Sequence, residues 1–372
     1  MGIPTAFLLA DKGHEVVGFD VNPRRVEDLN KGICPFEEKG LPELVEKVSQ
    51  SGRFRASTKI EAADIFIIAV PTPLKERRAA MQYVIQATEA ICSVLSDGNL
   101  VILESTVPPN TCRVMLTNLL NSTGKKYHLA HCPERAIPGN TMHEIVNNDR
   151  IIGGMTPEAA SFAKELYSTF VKGPIHLTDI TTAETCKLLE NTYRDINIAL
   201  ANTVMLVSEE LGFNPHEAIA LANRHPRVNI LSPGPGVGGH CIPIDPWFLT
   251  ENTAPSELIT AARAVNDGMP AFWVNRVTKR IHEMGLSSPK IGVLGVAYKP
   301  NVDDTRESPS TEIVHLLIEK GYHVKVADPL VQEFFLPLTS EKELLEWADL
   351  IVVATKHHEY GDLKRPNVIY CS

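Results

Sequence analysis

No apolar run in this chain approaches the roughly 20 residues needed to cross a bilayer; Ile65 to Val70 is among the longest, so no membrane association is expected. No C-x-x-C pair occurs, and the seven cysteines (Cys34, Cys92, Cys112, Cys132, Cys186, Cys241 and Cys371) are odd in number. That excludes a disulfide framework or a Cys-rich zinc site, and a reducing cytoplasm is the expected setting. Lys and Arg are scattered and outnumbered, 36 against 45 Asp and Glu, for a net charge of -9. Such a field repels a phosphate backbone, so nucleic acid is not an expected partner. No basic stretch precedes Ile3 to Ala10 as a secretory signal requires, and Ala6 stands where a myristoylation signal needs Ser or Thr. No repeat of solenoid period is found.

What remains is an ordinary soluble composition, with 44% hydrophobic and 22% charged residues over 372 positions. At about 150 residues per domain, that length predicts two or three domains. Short apolar runs at Glu15–Val21, Ile65–Val70, Leu100–Ser105 and Tyr127–Cys132 alternate with helical stretches, the pattern of βαβ units around a buried parallel sheet. From Thr181 to Leu211 the period changes. Leu189, Tyr193, Ile196, Leu200, Val204, Val207 and Leu211 form one stripe on a long helix without Pro or Gly. Helical pattern breaks at the Pro/Gly-rich stretch Ser232–Asp245 and resumes from Pro255 to Met284; from Lys290 a second run of alternating strands and helices opens. The expected fold class is therefore α/β: two Rossmann-like, doubly wound parallel-sheet domains (1–175 and 285–372) joined by a helical middle domain (176–284) with a spine helix.

Asp20 ends an early strand, where the carboxylate of a dinucleotide-binding unit meets the adenosine ribose, and Arg24 and Arg25 follow it. A strand end with turn residues explains Asp20-Val21-Asn22-Pro23 equally well. Only the last glycine of the fingerprint, Gly2, is present. The expectation is an N-terminal sheet missing its first strand and the loop that holds the pyrophosphate, through a truncated reading frame, or else a product that binds its cofactor poorly.

Five ordered stretches carry a more specific signal: Val70-Pro71-Thr72-Pro73; Glu104-Ser105-Thr106-Val107-Pro108-Pro109-Asn110-Thr111; Cys132-Pro133-Glu134-Arg135; Pro235 through Pro246; and Asp303 through Pro309. In this order the chain resembles the UDP-glucose/GDP-mannose dehydrogenase family over nearly its whole length. Glucose-type members follow the Pro-Glu pair with Phe-Leu-Arg-Glu, whereas here Arg135-Ala136-Ile137-Pro138-Gly139 stands, with Pro138 replacing the second glutamate. That departure, with Asn223 to Leu231 running into Gly234-Pro235-Gly236, resembles the branch acting on N-acetylated sugars. UDP-N-acetyl-D-mannosamine is the first expectation for substrate, and UDP-N-acetylglucosamine or UDP-glucose the second.

The resemblance implies two successive NAD-dependent oxidations of a C6 alcohol to a carboxylate, feeding surface polysaccharide synthesis. It assigns Cys241 as nucleophile, Lys187 and Asn191 as groups holding the reacting oxygen, and Glu134, Thr106 and Asp245 as the groups around the hydrolytic water. Cofactor contacts are expected at Gly2, Asp20, Val21, Arg25, Thr72, Thr106 and Arg306, and substrate contacts at Arg135, Arg227, Asn229, Gly238 and Lys299. It also implies a homodimer or larger assembly through the central helices, with Arg227 acting across the subunit boundary. Each residue has an ordinary reading too: a loop cysteine, a solvated helix face, a strand-end carboxylate, a surface cation. A zinc site from His131-Cys132 and His240-Cys241 lacks ligand spacing. A nucleotide-sugar binder without turnover is the competing class. Neither a 6-phosphogluconate-like nor a 3-hydroxyacyl dehydrogenase needs a cysteine in a glycine-rich loop.

Overall fold

The computed structural model describes residues 2–36, 38–137 and 139–371; Pro138, singled out above, lies outside the described residues. The chain divides into two compact units, Met1–Leu189 with Phe248–Asn252, and Glu190–Trp247 with Thr253–Ser372.

The first unit is a parallel α/β body. Its strands are β1 (Val16–Phe19), β2 (Phe54–Ser57), β3 (Ile65–Ile68), the hairpin β4 (Leu74–Lys75) and β5 (Arg78–Ala79), β6 (Asn99–Leu103), β7 (Tyr127–His131), β8 (Arg150–Gly154) and β9 (Ile175–Asp179). The main sheet runs β3-β6-β7-β8-β9, while β1 and β2 form a separate parallel pair. β6 is buried at every position, which explains its unbroken apolar run: helices cover both faces. One join departs from the expected parallel pattern, since β7 and β8 pair antiparallel through Ala130 with Gly154 and His131 with Gly153. A Cβ on Gly153 would lie 2.5 Å from the Asp179 carbonyl and one on Gly154 2.3 Å from that of Thr156, so the chain passes there only without side chains.

The second unit contains a four-stranded parallel sheet, β11-β10-β12-β13, made of β10 (Lys290–Leu294), β11 (His323–Ala327), β12 (Leu350–Val353) and β13 (Val368–Tyr370). β12 is buried throughout. Helix Pro309–Glu319 starts with Ser308, whose hydroxyl accepts from the Thr311 amide, and Pro309 supplies a helix-ready φ at the first position. The helix Glu257–Glu283 runs through Pro270 without stopping, and its buried side carries Met269, Trp273, Val274 and Val277.

The spine helix is one continuous element, Ile180–Leu211. Its apolar stripe does not form a core: Leu189, Tyr193, Leu200, Val207 and Leu211 are exposed. Its buried side within the second unit mixes Ala199, Ala201 and Met205 with the polar Thr192, Asp195, Asn202 and Ser208. Asp195 accepts from Arg263 at 2.7 Å and from the Asn266 amide at 2.8 Å, and Asn202 donates to Asn266 at 2.9 Å while accepting from the Gly234 amide at 2.8 Å. Both bonds to Asp195 fall on Oδ1, while its Oδ2 is buried without a partner, and burial raises the Asp195 carboxyl against the pull of Arg263.

Candidate active site

In the first unit the functional side chains gather where parallel strands end, the position at which open α/β sheets bind ligands. The Ser105 hydroxyl, just past β6, lies 2.8 Å from both the amide and the carbonyl of Val70, tying the ends of β3 and β6 together. Thr72 donates to the Thr106 carbonyl at 2.7 Å, and Lys187 donates from Nζ to the Thr106 hydroxyl at 2.6 Å. Lys187 and Thr106 thus present an ammonium and a hydroxyl at one point, a donor pair suited to an oxygen that gains negative charge. Behind them His131 is buried, and burial first, then the Lys187 charge, lowers its pKa to about 3. Its Nδ1 is buried without a partner.

Glu134 is also buried. One oxygen accepts from the amides of Arg135 and Ala136 at 2.7 and 2.8 Å, and the other from the Arg150 guanidinium at 3.0 Å. Arg150 lies within 3.4 Å of the Cys132 sulfur and 3.9 Å of Glu104, which accepts from the Tyr167 hydroxyl at 2.6 Å. Burial raises the Glu104 carboxyl against the pull of Arg150. Sequence reasoning named Glu134 but missed Arg150, Tyr167 and the structural work of Glu104, because no local pattern shows which cation a buried carboxylate will meet. Arg135 itself donates to the Asp149 carbonyl at 2.8 Å.

The nucleotide-side residues fall as follows. Asp20 follows β1, accepting from the Asn22 amide and from Arg25, each at 2.8 Å, and Val21 beside it is exposed. Each carboxylate oxygen has a further lone pair for a ribose hydroxyl. Gly2 opens helix Gly2–Asp11, where a Cβ would sit 3.0 Å from that of Ala69 past β3. The N-terminus of this helix beside the end of β3, with the strand-end carboxylate of Asp20, fits a dinucleotide.

In the second unit, Cys241 is the exposed cysteine of the seven, whereas Cys112, Cys132 and Cys371 are buried. Burial raises all three of those thiols, Cys132 to about 11, which leaves them poor nucleophiles. The Cys241 carbonyl accepts from the Asp245 amide at 2.9 Å, closing a turn, and buried Asp245 accepts from the Asn191 side chain at 2.6 Å. The glycines beside Cys241 have a steric reason. A Cβ on Gly238 would meet the Glu307 carbonyl at 2.4 Å, and one on Gly239 would meet the Tyr298 ring at 2.8 Å. His240 faces Asp304 at 3.6 Å. Arg306 forks onto Asp304 through two 2.9 Å bonds, and Lys299 Nζ lies 5.6 Å from the Tyr298 ring centre. Asn229 offers its carbonyl to Asn197 at 2.7 Å, and the Arg227 amide lies 3.4 Å from His225 Nδ1.

Three domain families match in order: the NAD binding domain of the UDP-glucose/GDP-mannose dehydrogenase family over 1–171, its central domain over 181–268 and its UDP binding domain over 292–370. The chain belongs to this dehydrogenase family. It is 48% identical to the UDP-N-acetyl-D-mannosamine dehydrogenase of Methanocaldococcus jannaschii, across 99% of this chain and 86% of that one. It is 41% identical to an NDP-N-acetyl-D-galactosaminuronic acid dehydrogenase of Ralstonia nicotianae, across 98% and 90%. The structure of UDP-D-ManNAc dehydrogenase from Pyrococcus horikoshii aligns with a TM-score of 0.90 at 40% identity, covering 98% of this chain and 88% of that one. As a member of the family the protein is an NAD-dependent nucleotide-sugar dehydrogenase, and its helices include none long and apolar enough to cross a membrane among the described residues.

Proposed function

We propose that the protein oxidises the C6 alcohol of UDP-N-acetyl-D-mannosamine to the carboxylate. The observation that carries the reading is the character of Cys241: an exposed thiol in a glycine-rich turn that also holds Asp245, while three other cysteines are buried as thiols. NAD, when bound, accepts the hydride lost from C6 in each of two oxidations. Gly2, Asp20, Val21, Arg25, Thr72 and Thr106 are assigned to hold it; Arg306, on one loop with Lys299, is assigned to a diphosphate, the cofactor's or the sugar nucleotide's.

In the first oxidation Lys187, braced by Thr106, and Asn191 hold the alcohol oxygen as its proton leaves. Cys241 then adds through sulfur to the aldehyde carbon, giving a thiohemiacetal. Loss of the second hydride and of the hydroxyl proton leaves a thioester. Water, held by Thr106, Asp245 and Glu134, adds to the thioester carbon, and the C–S bond breaks to return the thiol and release the carboxylate. The sum is one alcohol, two NAD and one water converted to one carboxylate, two NADH and three protons. Arg135, Arg227, Asn229, Gly238 and Lys299 are assigned to the UDP-sugar.

The exposed face of the spine helix, with Tyr193, Leu200, Val207 and Leu211, supports a homodimer through this helix. A cytoplasmic setting suits an enzyme of NAD and nucleotide sugars, and a uronate product suits polysaccharide assembly. The test is NADH absorbance with UDP-N-acetylmannosamine, UDP-N-acetylglucosamine and UDP-glucose in parallel. Preference for the first is expected, and equal or greater kcat/KM with UDP-glucose contradicts the substrate assignment.

A further inference from the structure

We propose that His357 is a positioning residue for nucleotide-sugar binding, acting with Asp328 to fix the loop that carries Lys299 and Arg306. This rests on the reading that the loop contacts the nucleotide sugar.

Asp328 follows β11, and His357 lies just beyond β12, on either side of the turn that leaves β10. Both side chains are fully buried, with His357 Nε2 and Asp328 Oδ2 3.1 Å apart. That oxygen also accepts from the Val296 amide at 2.8 Å, and the other accepts from the amides of Leu330 and Val331 at 3.0 and 3.1 Å. Burial pushes the Asp328 carboxyl up, but the His357 bond and these amides hold it below the ordinary value. The opposite ring nitrogen, Nδ1, accepts from the Asn301 amide at 2.9 Å. Since that partner is an N–H, the ring proton belongs on Nε2, facing the carboxylate.

Asn301 is the residue that needs holding. Its φ is +62°, a left-handed conformation uncommon outside glycine, and its side-chain oxygen accepts from the His358 amide at 3.0 Å. The turn at Asn301 sends the chain back on itself: Tyr298 donates its amide to the Asp304 carbonyl at 2.9 Å, with Lys299 on the outgoing arm and Arg306 just after the return. The same arm carries Tyr298, whose ring lies where a Cβ on Gly239 would be. Asp328 orients the imidazole, the imidazole holds the Asn301 amide, and the turn spaces the two cations, an arrangement suited to a diphosphate.

The side chains of Gln and Asn separate the two contacts. In His357→Gln the amide nitrogen reaches Asp328 but leaves the Asn301 amide without its acceptor. In His357→Asn the side-chain oxygen stands in for Nδ1. The experiment titrates the full chain with UDP, measures KM for UDP-sugar and for NAD, and follows amide hydrogen exchange across residues 298–306. His357→Gln is expected to weaken UDP binding about tenfold, to raise the UDP-sugar KM with the NAD KM unchanged, and to speed exchange at Asn301. His357→Asn is expected to stay within about threefold of wild type. UDP affinity in His357→Gln equal to wild type, or equal losses of UDP and NAD binding in both variants, overturns the positioning role alone. Failure of the wild-type chain to bind UDP overturns the functional reading, and this one with it.

Discussion

Acid should destabilise this protein partly through one buried imidazole. His131 titrates near 6.5 in an unfolded chain and at about 3 in the folded one, because burial and the Lys187 ammonium both disfavour its charge. The native pKa is depressed, so the unfolded state binds the extra proton between those values. Stability attributable to His131 is complete above about pH 6.5 and falls by about 1.4 kcal/mol per pH unit toward pH 3. From pH 7 to 5 the integrated loss is about 2 kcal/mol. His131→Phe keeps a planar ring, removes the titration and removes the unpartnered Nδ1. Urea unfolding of both proteins at several pH values gives the difference directly. Glu104, whose raised pKa acts in the opposite direction, is present in both and cancels from that difference. The variant should lose about 2 kcal/mol less than wild type between pH 7 and 5. Parallel pH profiles would refute the reasoning, for they would mean that His131 protonates freely in the folded state.

Four further outcomes follow from the geometry. Cys241→Ser should release little or no carboxylate while still reducing NAD in the first oxidation, measured by product chromatography against NADH formed; wild-type carboxylate release would remove the nucleophile role. Thr106→Val, which breaks the 2.6 Å bond from Lys187, should lower kcat about 10²-fold with a smaller change in KM, and an unchanged kcat argues against the pair. Arg150→Met strands Glu134 and Glu104 in the core and should cost about 3–5 kcal/mol in urea unfolding, whereas a loss below about 1 kcal/mol would mean that the guanidinium is dispensable. Gly239→Ala places a Cβ 2.8 Å from Tyr298 at a φ of +86°, so the turn must shift and activity should fall while melting temperature changes little; full activity would contradict the tight packing around Cys241.

The sequence made strands legible where both faces are buried. β6 is buried at every position, and the expected run Leu100–Ser105 meets it within two residues at either end; β12, Leu-Ile-Val-Val, is likewise buried throughout. β2, β8 and β9 were passed over: Phe-Arg-Ala-Ser, Arg-Ile-Ile-Gly-Gly and Ile-His-Leu-Thr-Asp mix polar and glycine residues and lack that signal. The antiparallel turn of β8 depends on two glycines passing close to backbone, a tertiary fact that no periodicity encodes. The spine helix was legible from its stripe, but much of the stripe is exposed, while the buried side places Asp195 against Arg263 and Asn266, and Asn202 against Asn266, of the helix Glu257–Glu283. The motif residues were legible because loops at strand ends keep short, recognisable patterns. Arg150 and His357 lie far along the chain from Glu134 and Asn301, and only folding pairs them.

The central claim is that a single thiol carries the sugar carbon between two oxidations. Its most direct test is the ratio of NADH formed to UDP-N-acetylmannosamine consumed, read together with the intact mass of Asp245→Asn protein quenched during turnover. Two NADH per sugar, with the variant gaining the mass of an acylated sugar nucleotide on the peptide containing Cys241, is the predicted result. One NADH per sugar with free aldehyde in solution, or full turnover with no adduct and undiminished activity in Cys241→Ser, would contradict it.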